Sequence, residues 1–359
     1  MNNISKILAI NPGSTSTKVA LYCNEKLQFN DNVEHSTEEL SKFNSIAEQE
    51  EMRKNKIIEL LKENNESVEG LAAVVGRGGI LPPVQSGAYI VNEDMVRYLK
   101  GSDVYAHASN LGAIIAKSIA DSNNIKAYIY DPVTVDERIE VAKITGIPEL
   151  PRRAFCHTLN SRAMARRCAE KVGCSYIKGT FIVAHLGGGV SVSVHKNGRI
   201  LDSVSDDEGA FSPERGGRVQ STALIALCCS GKYSQDTLKG LTRGNAGIRA
   251  HLGTADMREV EKRIQEQDTK AELILNAMVY QLSKSIGEMA TVVNGKIDAI
   301  VLTGGIAHST LVVEKITNKI SFLAPVYVFP GECEMEALAY GALRVLNGEE
   351  QAHEFHIEK

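Results

Sequence analysis

Short apolar runs alternate with glycine-rich turns along most of this chain. Residues 7–10 and 19–23 are apolar runs of strand length, and "NPGSTSTK" between them predicts a turn across the small or hydroxylated residues 13–17. "CNEK" predicts a second turn, and the charged stretch 34–65, with apolar residues at helical spacing, predicts a surface helical region. "GLAAVV" reads as a strand running into the Gly/Pro loop "GRGGILPP", "LGAIIAKSIADS" as a helix, and "KAYIY" as a strand ending at Asp131. "FCHTLNSRAMARRCAEKVG" has helical spacing and a glycine stop. "FIVAHLGGGVSVSVHKNGRILDSV" then reads as strand, triple-glycine turn, alternating strand, Asn197-Gly198 hairpin turn and strand. Ile274, Met278, Leu282, Ile286, Met289 and Val293 form one apolar stripe on a long helix that Asn294-Gly295 stops. The strands "AIVLTGG" and "PVYVFPG" follow, then a last helix, "EMEALAYGALRVLNG". The tail beyond Gly348, with its "HEFH", is expected to fray into solvent.

Strands interleaved with helices predict an α/β protein. "ILAINPGSTSTKVAL" and "FIVAHLGGGVSVSVH" share one plan of apolar strand, polar residue, glycine turn and apolar strand, about 175 residues apart. The echo suggests two similar domains, and 359 residues are too many for one ordinary core.

Composition narrows the class. Hydrophobic residues at 43% and charged residues at 23% are the balance of a soluble globular protein, and a net charge of −4 weighs against nucleic acid as the main ligand. No apolar run reaches the roughly 18 residues of a membrane span, and the polar start "MNNISK" is unlike a signal peptide. The seven cysteines, an odd number with no CxxC spacing, point to reduced thiols in a cytoplasm.

Three glycine turns, each at a strand end, carry the candidate chemistry. Gly13 lets backbone amides approach an anion, Ser14 and Ser16 add hydroxyl donors, and Lys18 adds a charge. Gly187, Gly188 and Gly189 after His185 offer bare backbone, while Gly304 and Gly305 close a buried strand at the end where α/β folds bind ligands. Together they suggest one extended nucleotide. Asp131, at a strand end, suits a residue that orients a nucleophile or holds a metal, or one that caps the next segment. Arg77 in "GRGG" and Arg215 in "ERGG" suit a phosphate or a carboxylate, and Glu336 stands in the first turn of the last helix. His107 and His157 lie beside loops without metal-ligand spacing.

Seven segments in order, "NPGSTSTK", "YDPVTVDE", "FCHTLNSR", "HLGGG", "PERGGR", "LTGGIA" and "ECEMEALA", resemble the motifs of the acetate kinase family, within the actin-like, sugar-kinase-like ATPases. The chain is shorter than acetate kinases usually are, which places the resemblance nearer the butyrate and branched-chain branch. The resemblance implies two similar actin-like (ribonuclease H-like) domains with ATP and substrate in the cleft between them. The expected division is residues 1–135 plus 337–359, and residues 136–336 as the nucleotide-binding domain. It implies a kinase that moves the γ-phosphoryl group of ATP onto a short-chain fatty acid with Mg²⁺, in the cytoplasm, as a homo-oligomer. Butyrate is the expected acid, with branched-chain acids, propionate or acetate as alternatives. A sugar kinase and a non-catalytic actin-like ATPase are the readings from other classes.

Carried over by position, Asn11, Ser14, Ser16 and Lys18 flank the transferred phosphoryl group. Asp131 and Glu336 hold Mg²⁺ or set the attacking carboxylate's geometry. His157 and Arg215 stabilise the group in flight, His185 and Gly187, Gly188 and Gly189 hold ATP phosphates, and Gly304 and Gly305 pack the adenosine. Arg77 and His107 contact the substrate, beside an apolar pocket lined from "ILPPV". The family often carries asparagine where Gly188 stands, and its substrate-side arginine lies in a different local context from Arg77.

Overall fold

The computed structural model describes residues 4–101, 104–205 and 207–357. The first three residues of the polar start and the last two of the tail lie outside them. The chain divides into two compact units, Met1–Asp136 with Cys333–Lys359, and Glu137–Glu332. The second boundary precedes the last helix, Glu334–Leu346, so Glu334 and Glu336 both belong to the first unit, whereas the sequence reading divided the chain after 336.

In the first unit, β1 (Lys6–Pro12), β2 (Ser16–Cys23) and β3 (Lys26–Glu34) form an antiparallel meander. Parallel to β1 runs β4 (Leu71–Arg77), then β6 (Lys126–Tyr130) parallel to β4, with β5 (Ala88–Ile90) antiparallel on the far side of β6. A short C-terminal strand, His353–Glu354, pairs with β5 and closes a seven-stranded order. The tail is therefore not frayed over its described residues. Phe355 is buried, and the His353 ring lies 4.9 Å from that of Tyr89. The opening turn is also shorter than expected. Ser16, Thr17 and Lys18 already belong to β2, with Asn11 opposite Lys18, because the hairpin pairs right up to Pro12 and Thr17.

In the second unit, β7 (Thr180–Leu186), β8 (Val190–Lys196) and β9 (Arg199–Ser205) form the corresponding meander, and β10 (Ala299–Gly304) and β11 (Val326–Pro330) continue the sheet parallel to β7. The order β11-β10-β7-β8-β9 repeats β6-β4-β1-β2-β3 of the first unit, strand for strand and with the same orientations. The two-turn echo in the sequence is thus a repeated sheet. Asn197 (φ 52°) and Gly198 (φ 79°) are both left-handed, as a type I′ hairpin requires.

Apolar helix faces cover these sheets. Helix Asn110–Ser122 presses on β4 so closely that a Cβ on Gly76 would lie 2.0 Å from the Gly112 carbonyl oxygen, which only glycine permits. Helix Thr269–Val292 buries Met278, Leu282, Ile286 and Met289 against the second sheet, the stripe expected from the sequence. No described helix is long and apolar enough to cross a membrane.

Candidate active site

In the first unit β1, β4 and β6 are adjacent and parallel, so their carboxyl ends lie on one edge of the sheet. That edge carries Asn11 and the Gly13 turn, Arg77, and Asp131. Parallel neighbours are about 4.8 Å apart, so three strand ends span a space matched to one small ligand. Asn11 is buried and its Nδ2 donates to Glu334 Oε2 at 2.7 Å. The same oxygen accepts from Arg77 Nη1 in an ion pair. Glu334 is 7% exposed and opens the last helix, where its charge also meets the positive helix end.

Glu334, not Glu336, is therefore the glutamate in contact with the Arg77–Asn11 cluster. Glu336 is half-buried, and its charge helps, after burial, to push the Tyr22 hydroxyl up to about 12. Both glutamates fit the terminal motif by sequence, and a shift of two residues on a helix turns a side chain through more than half a circle.

Asp131 is 2% exposed and sits at φ 42°, a left-handed conformation that aspartate tolerates better than most residues. Gly87 fixes it from two directions: its N–H donates to Asp131 Oδ1 at 2.8 Å and its carbonyl accepts from Asp131 N at 3.2 Å. His107 Nδ1 accepts from Ser109 N at 3.2 Å, and desolvation, then the charge of Arg77, push its imidazole below the ordinary value. The expected acyl-pocket segment is only partly available, since Leu81 points into the core while Ile80, Pro82 and Val84 keep some exposure.

Among the described residues no group of three or more His, Cys, Asp or Glu side chains could hold a metal. Mg²⁺ in phosphoryl-transfer sites needs less, one or two carboxylates with phosphate oxygens completing the shell. Asp131, a buried carboxylate whose orientation the Gly87 amide sets, fits that requirement.

In the second unit β7 and β10 end side by side, with Thr303 in register with His185. His185 is penultimate in β7 as Asn11 is in β1. Its Nδ1 accepts from Asn160 Nδ2 at 2.9 Å, which leaves its proton on Nε2, 3.4 Å from Glu332 Oε1. The His157 ring stacks on it at 3.9 Å with an interplanar angle of 9°, and His157 Nδ1 meets Ser191 Oγ at 2.9 Å.

Two motifs far apart in sequence are joined here. Ser212 Oγ donates to the Gly188 carbonyl at 2.6 Å and accepts from Arg215 N at 3.1 Å, while Glu214 N donates to that carbonyl at 3.2 Å. The arginine loop is thus built onto the triple-glycine turn. Gly188 is exposed, and a Cβ there would lie 3.0 Å from Glu214 Oε2, so the position carries no side-chain contact of its own. Gly304 has a structural duty: at φ 90° it brings the strand end to within 2.4 Å of Leu186 O for a Cβ. Gly305 is exposed, and a Cβ there would meet nothing within 4 Å. Open space for a flat group thus belongs to Gly305. Asn160, Ser191, Ser212 and Glu334 escaped the sequence reading; each stands within or beside a recognised motif, and that adjacency was the available signal.

Residues 146–330 match the model of the acetokinase family. Over the whole chain, butyrate kinase 2 of Clostridium acetobutylicum is 48% identical, covering 98% of this chain and 99% of its own. A probable butyrate kinase of Bacteroides thetaiotaomicron is 47% identical, covering 96% and 98%. Among solved structures, acetate kinase from Porphyromonas gingivalis superposes with a TM-score of 0.79 at 20% identity, over 95% of this chain and all of that one, a likeness of fold. With its two similar α/β units and its full-length relatives, the chain belongs to the acetokinase family.

Proposed function

We propose that the protein transfers the γ-phosphoryl group of ATP to the carboxylate of a short-chain fatty acid, butyrate first, giving an acyl phosphate and ADP. The observation that carries the reading is the buried Glu334 holding Arg77 and Asn11 at the strand edge that also carries Asp131. The full-length likeness to butyrate kinases supports the choice of acid.

A carboxylate is already a nucleophile at neutral pH, so the site has no difficult proton to remove. Its problem is electrostatic: two unit charges 4 Å apart repel by about 4 kcal/mol at an effective dielectric near 20. Arg77 would meet the acid, because Glu334 engages its Nη1 and a guanidinium has five N–H groups to offer. Lys18, the hydroxyls of Ser14 and Ser16 and the amides of their turn would bind the phosphoryl oxygens. Arg215 and the Nε2–H of His185 would follow charge as it spreads over those oxygens in transfer. The backbone of Gly187, Gly188 and Gly189 would hold the nucleotide's phosphates, and Gly305 would leave room for its adenosine. Asp131, with Glu334 beside Arg77 and Asn11, would hold Mg²⁺, which when bound neutralises phosphate charge. His107 and His157 would contact the phosphoryl group from the acid side and the nucleotide side respectively.

Each buried methylene contributes about 0.8 kcal/mol, roughly a fourfold preference per carbon, so acids of neighbouring length should be discriminated in gradual steps. Phosphorus NMR of a reaction with Mg-ATP and butyrate tests the reaction type. An acyl phosphate signal is expected; a phosphate ester formed only when a sugar is added would replace this reading with a sugar kinase.

A cytoplasmic location suits an ATP-consuming enzyme whose cysteines form no disulfide among the described residues. Self-association is proposed through helix Ser221–Cys229, whose sequence STALIALCC is almost wholly apolar yet buries no residue, with Ile225 61% exposed. Light scattering should give a dimer or larger for the native chain and a monomer for Ile225→Glu.

A further inference from the structure

The turn that opens the chain is held from behind by a residue to which no motif pointed. Arg53, on helix Glu50–Glu63, is 1% exposed. Its Nη1 donates to the carbonyls of Gly13 at 2.9 Å and Ser16 at 3.1 Å and to Thr17 Oγ1 at 3.0 Å. Its Nη2 donates to the Ser14 carbonyl at 3.1 Å and to Gln49 Oε1 at 2.9 Å, and Nε donates to the same Gln49 oxygen at 3.2 Å. The remaining carbonyl, of Thr15, accepts from His35 N at 2.8 Å. Every carbonyl from Gly13 to Ser16 is therefore engaged by the protein.

Of the donors, the Gly13 N–H closes the turn onto the Ser16 carbonyl at 2.7 Å, while those of the exposed side chains are left in the opposite condition. Gly13, Ser14, Thr15 and Lys18 are exposed, and among the described residues nothing bonds to the hydroxyls of Ser14 and Ser16 or to the Lys18 ammonium. Thr17 alone turns inward: its hydroxyl accepts from Arg53 and shares a hydrogen bond with His35 Nε2 at 2.9 Å. Burial, then the charges of Arg53 and Lys56, push the His35 imidazole down to about 4, so the ring beside Arg53 is neutral at neutral pH. Among the described residues no carboxylate pairs with Arg53, whose charge is balanced by carbonyl dipoles. Burial lowers it to about 10, so it stays ionised at neutral pH.

We propose that Arg53 is the positioning residue of the phosphate-binding turn. By gathering the carbonyls of Gly13, Ser14 and Ser16 it leaves the turn presenting N–H, O–H and ammonium groups to an anion. Its positive charge, solvated by those carbonyls and paired with no carboxylate among the described residues, adds to that preference from below. A carbonyl turned toward a phosphoryl oxygen would repel it, and in a partly desolvated site such a misdirected dipole weighs more than in water. The inference rests on the reading of this turn as a phosphate-binding element, and the test separates the two.

Arg53→Lys keeps a charge but offers one nitrogen where the guanidinium offers three. Acyl phosphate formation by this variant is expected to lose about 30-fold in kcat and to show a raised KM for ATP, with the KM for the acid within about twofold. A merely structural role would lower the unfolding temperature without moving kcat per folded molecule. Arg53→Lys that is folded and within twofold of the parent in both kcat and KM for ATP overturns the proposal. Should that variant fail to fold, Gln49→Met leaves Arg53 in place but releases its orientation, and the same split at about fivefold is expected; no change there also overturns it. Ser14→Ala and Lys18→Ala are measured alongside. Losses in both, with a normal Arg53→Lys, remove only the inference about Arg53. No loss in either removes the turn from the chemistry and overturns both readings together.

Discussion

Glu334 and Glu336 stand two residues apart on one helix, yet only Glu334 is buried against Arg77 and Asn11. We expect Glu334→Gln to lower kcat by about 100-fold or more, because it removes a charge that orients Arg77, and Glu336→Gln to stay within about threefold. Equal effects in steady-state assays would mean that the buried contact is not the functional one. Asp131→Asn, which keeps the shape of the side chain and removes its charge, should leave the fold intact and cost about 100-fold or more in kcat. Arg215→Ala should lower turnover far more than it weakens ATP binding. Unchanged turnover with ATP affinity lost would move Arg215 from the transferred group to the nucleotide. At this scale the sequence showed residue types better than partners. "PERGG" identified Arg215, but only the fold shows Ser212 tying that loop to Gly188, because the contact closes over 24 residues.

At the scale of elements, long periodic segments were legible and short ones were not. The helix Thr269–Val292 announced itself by its stripe, and the hairpin at Asn197-Gly198 by its turn chemistry. β5, three residues long, and the two-residue C-terminal strand are too short to show any period, so the tail looked loose. β3 has scarcely a buried position, and helix Ser221–Cys229 is apolar all round, so neither carries an amphipathic signal. The tail also has work to do. Glu350 accepts from Ala88 N at 3.1 Å and from the Tyr130 hydroxyl at 2.9 Å, the residues that follow Gly87 and precede Asp131. Ending the chain after Gly348 should therefore cost about 3 kcal/mol, mainly through lost burial of Phe355, and should lower kcat as well by loosening the Gly87–Asp131 pair. A truncated protein with unchanged urea midpoint and activity would show the strand to be dispensable.

For the whole molecule, duplication was visible as two glycine turns in similar settings, and the repeated strand order explains why they match: each closes the first hairpin of its sheet. Each unit also contains a buried neutral histidine. His35 is pushed to about 4, and His195, bonded to the Tyr176 hydroxyl and Ser193 Oγ, is pushed to about 3 by burial and then the charge of Arg162. The unfolded chain protonates these rings near pH 6.5 while the folded one resists until far lower. Their contribution to stability is therefore complete above about 6.5 and is lost as pH falls toward 4. For His195 the loss between pH 6.5 and 5 is about 2 kcal/mol. Urea midpoints at pH 7.5, 6.5 and 5.5 should fall accordingly, and less steeply in a folded His195→Gln variant. An equal slope in that variant would remove His195 as a cause.

The most direct measurement of the central claim is acyl phosphate formation trapped with hydroxylamine, using Mg-ATP and acetate, propionate, butyrate, isobutyrate or valerate. Hydroxamate is expected from several acids, with kcat/KM rising to a maximum at four carbons and abolished in Arg77→Ala. Folded protein that binds ATP and forms no hydroxamate with any of these acids would contradict it.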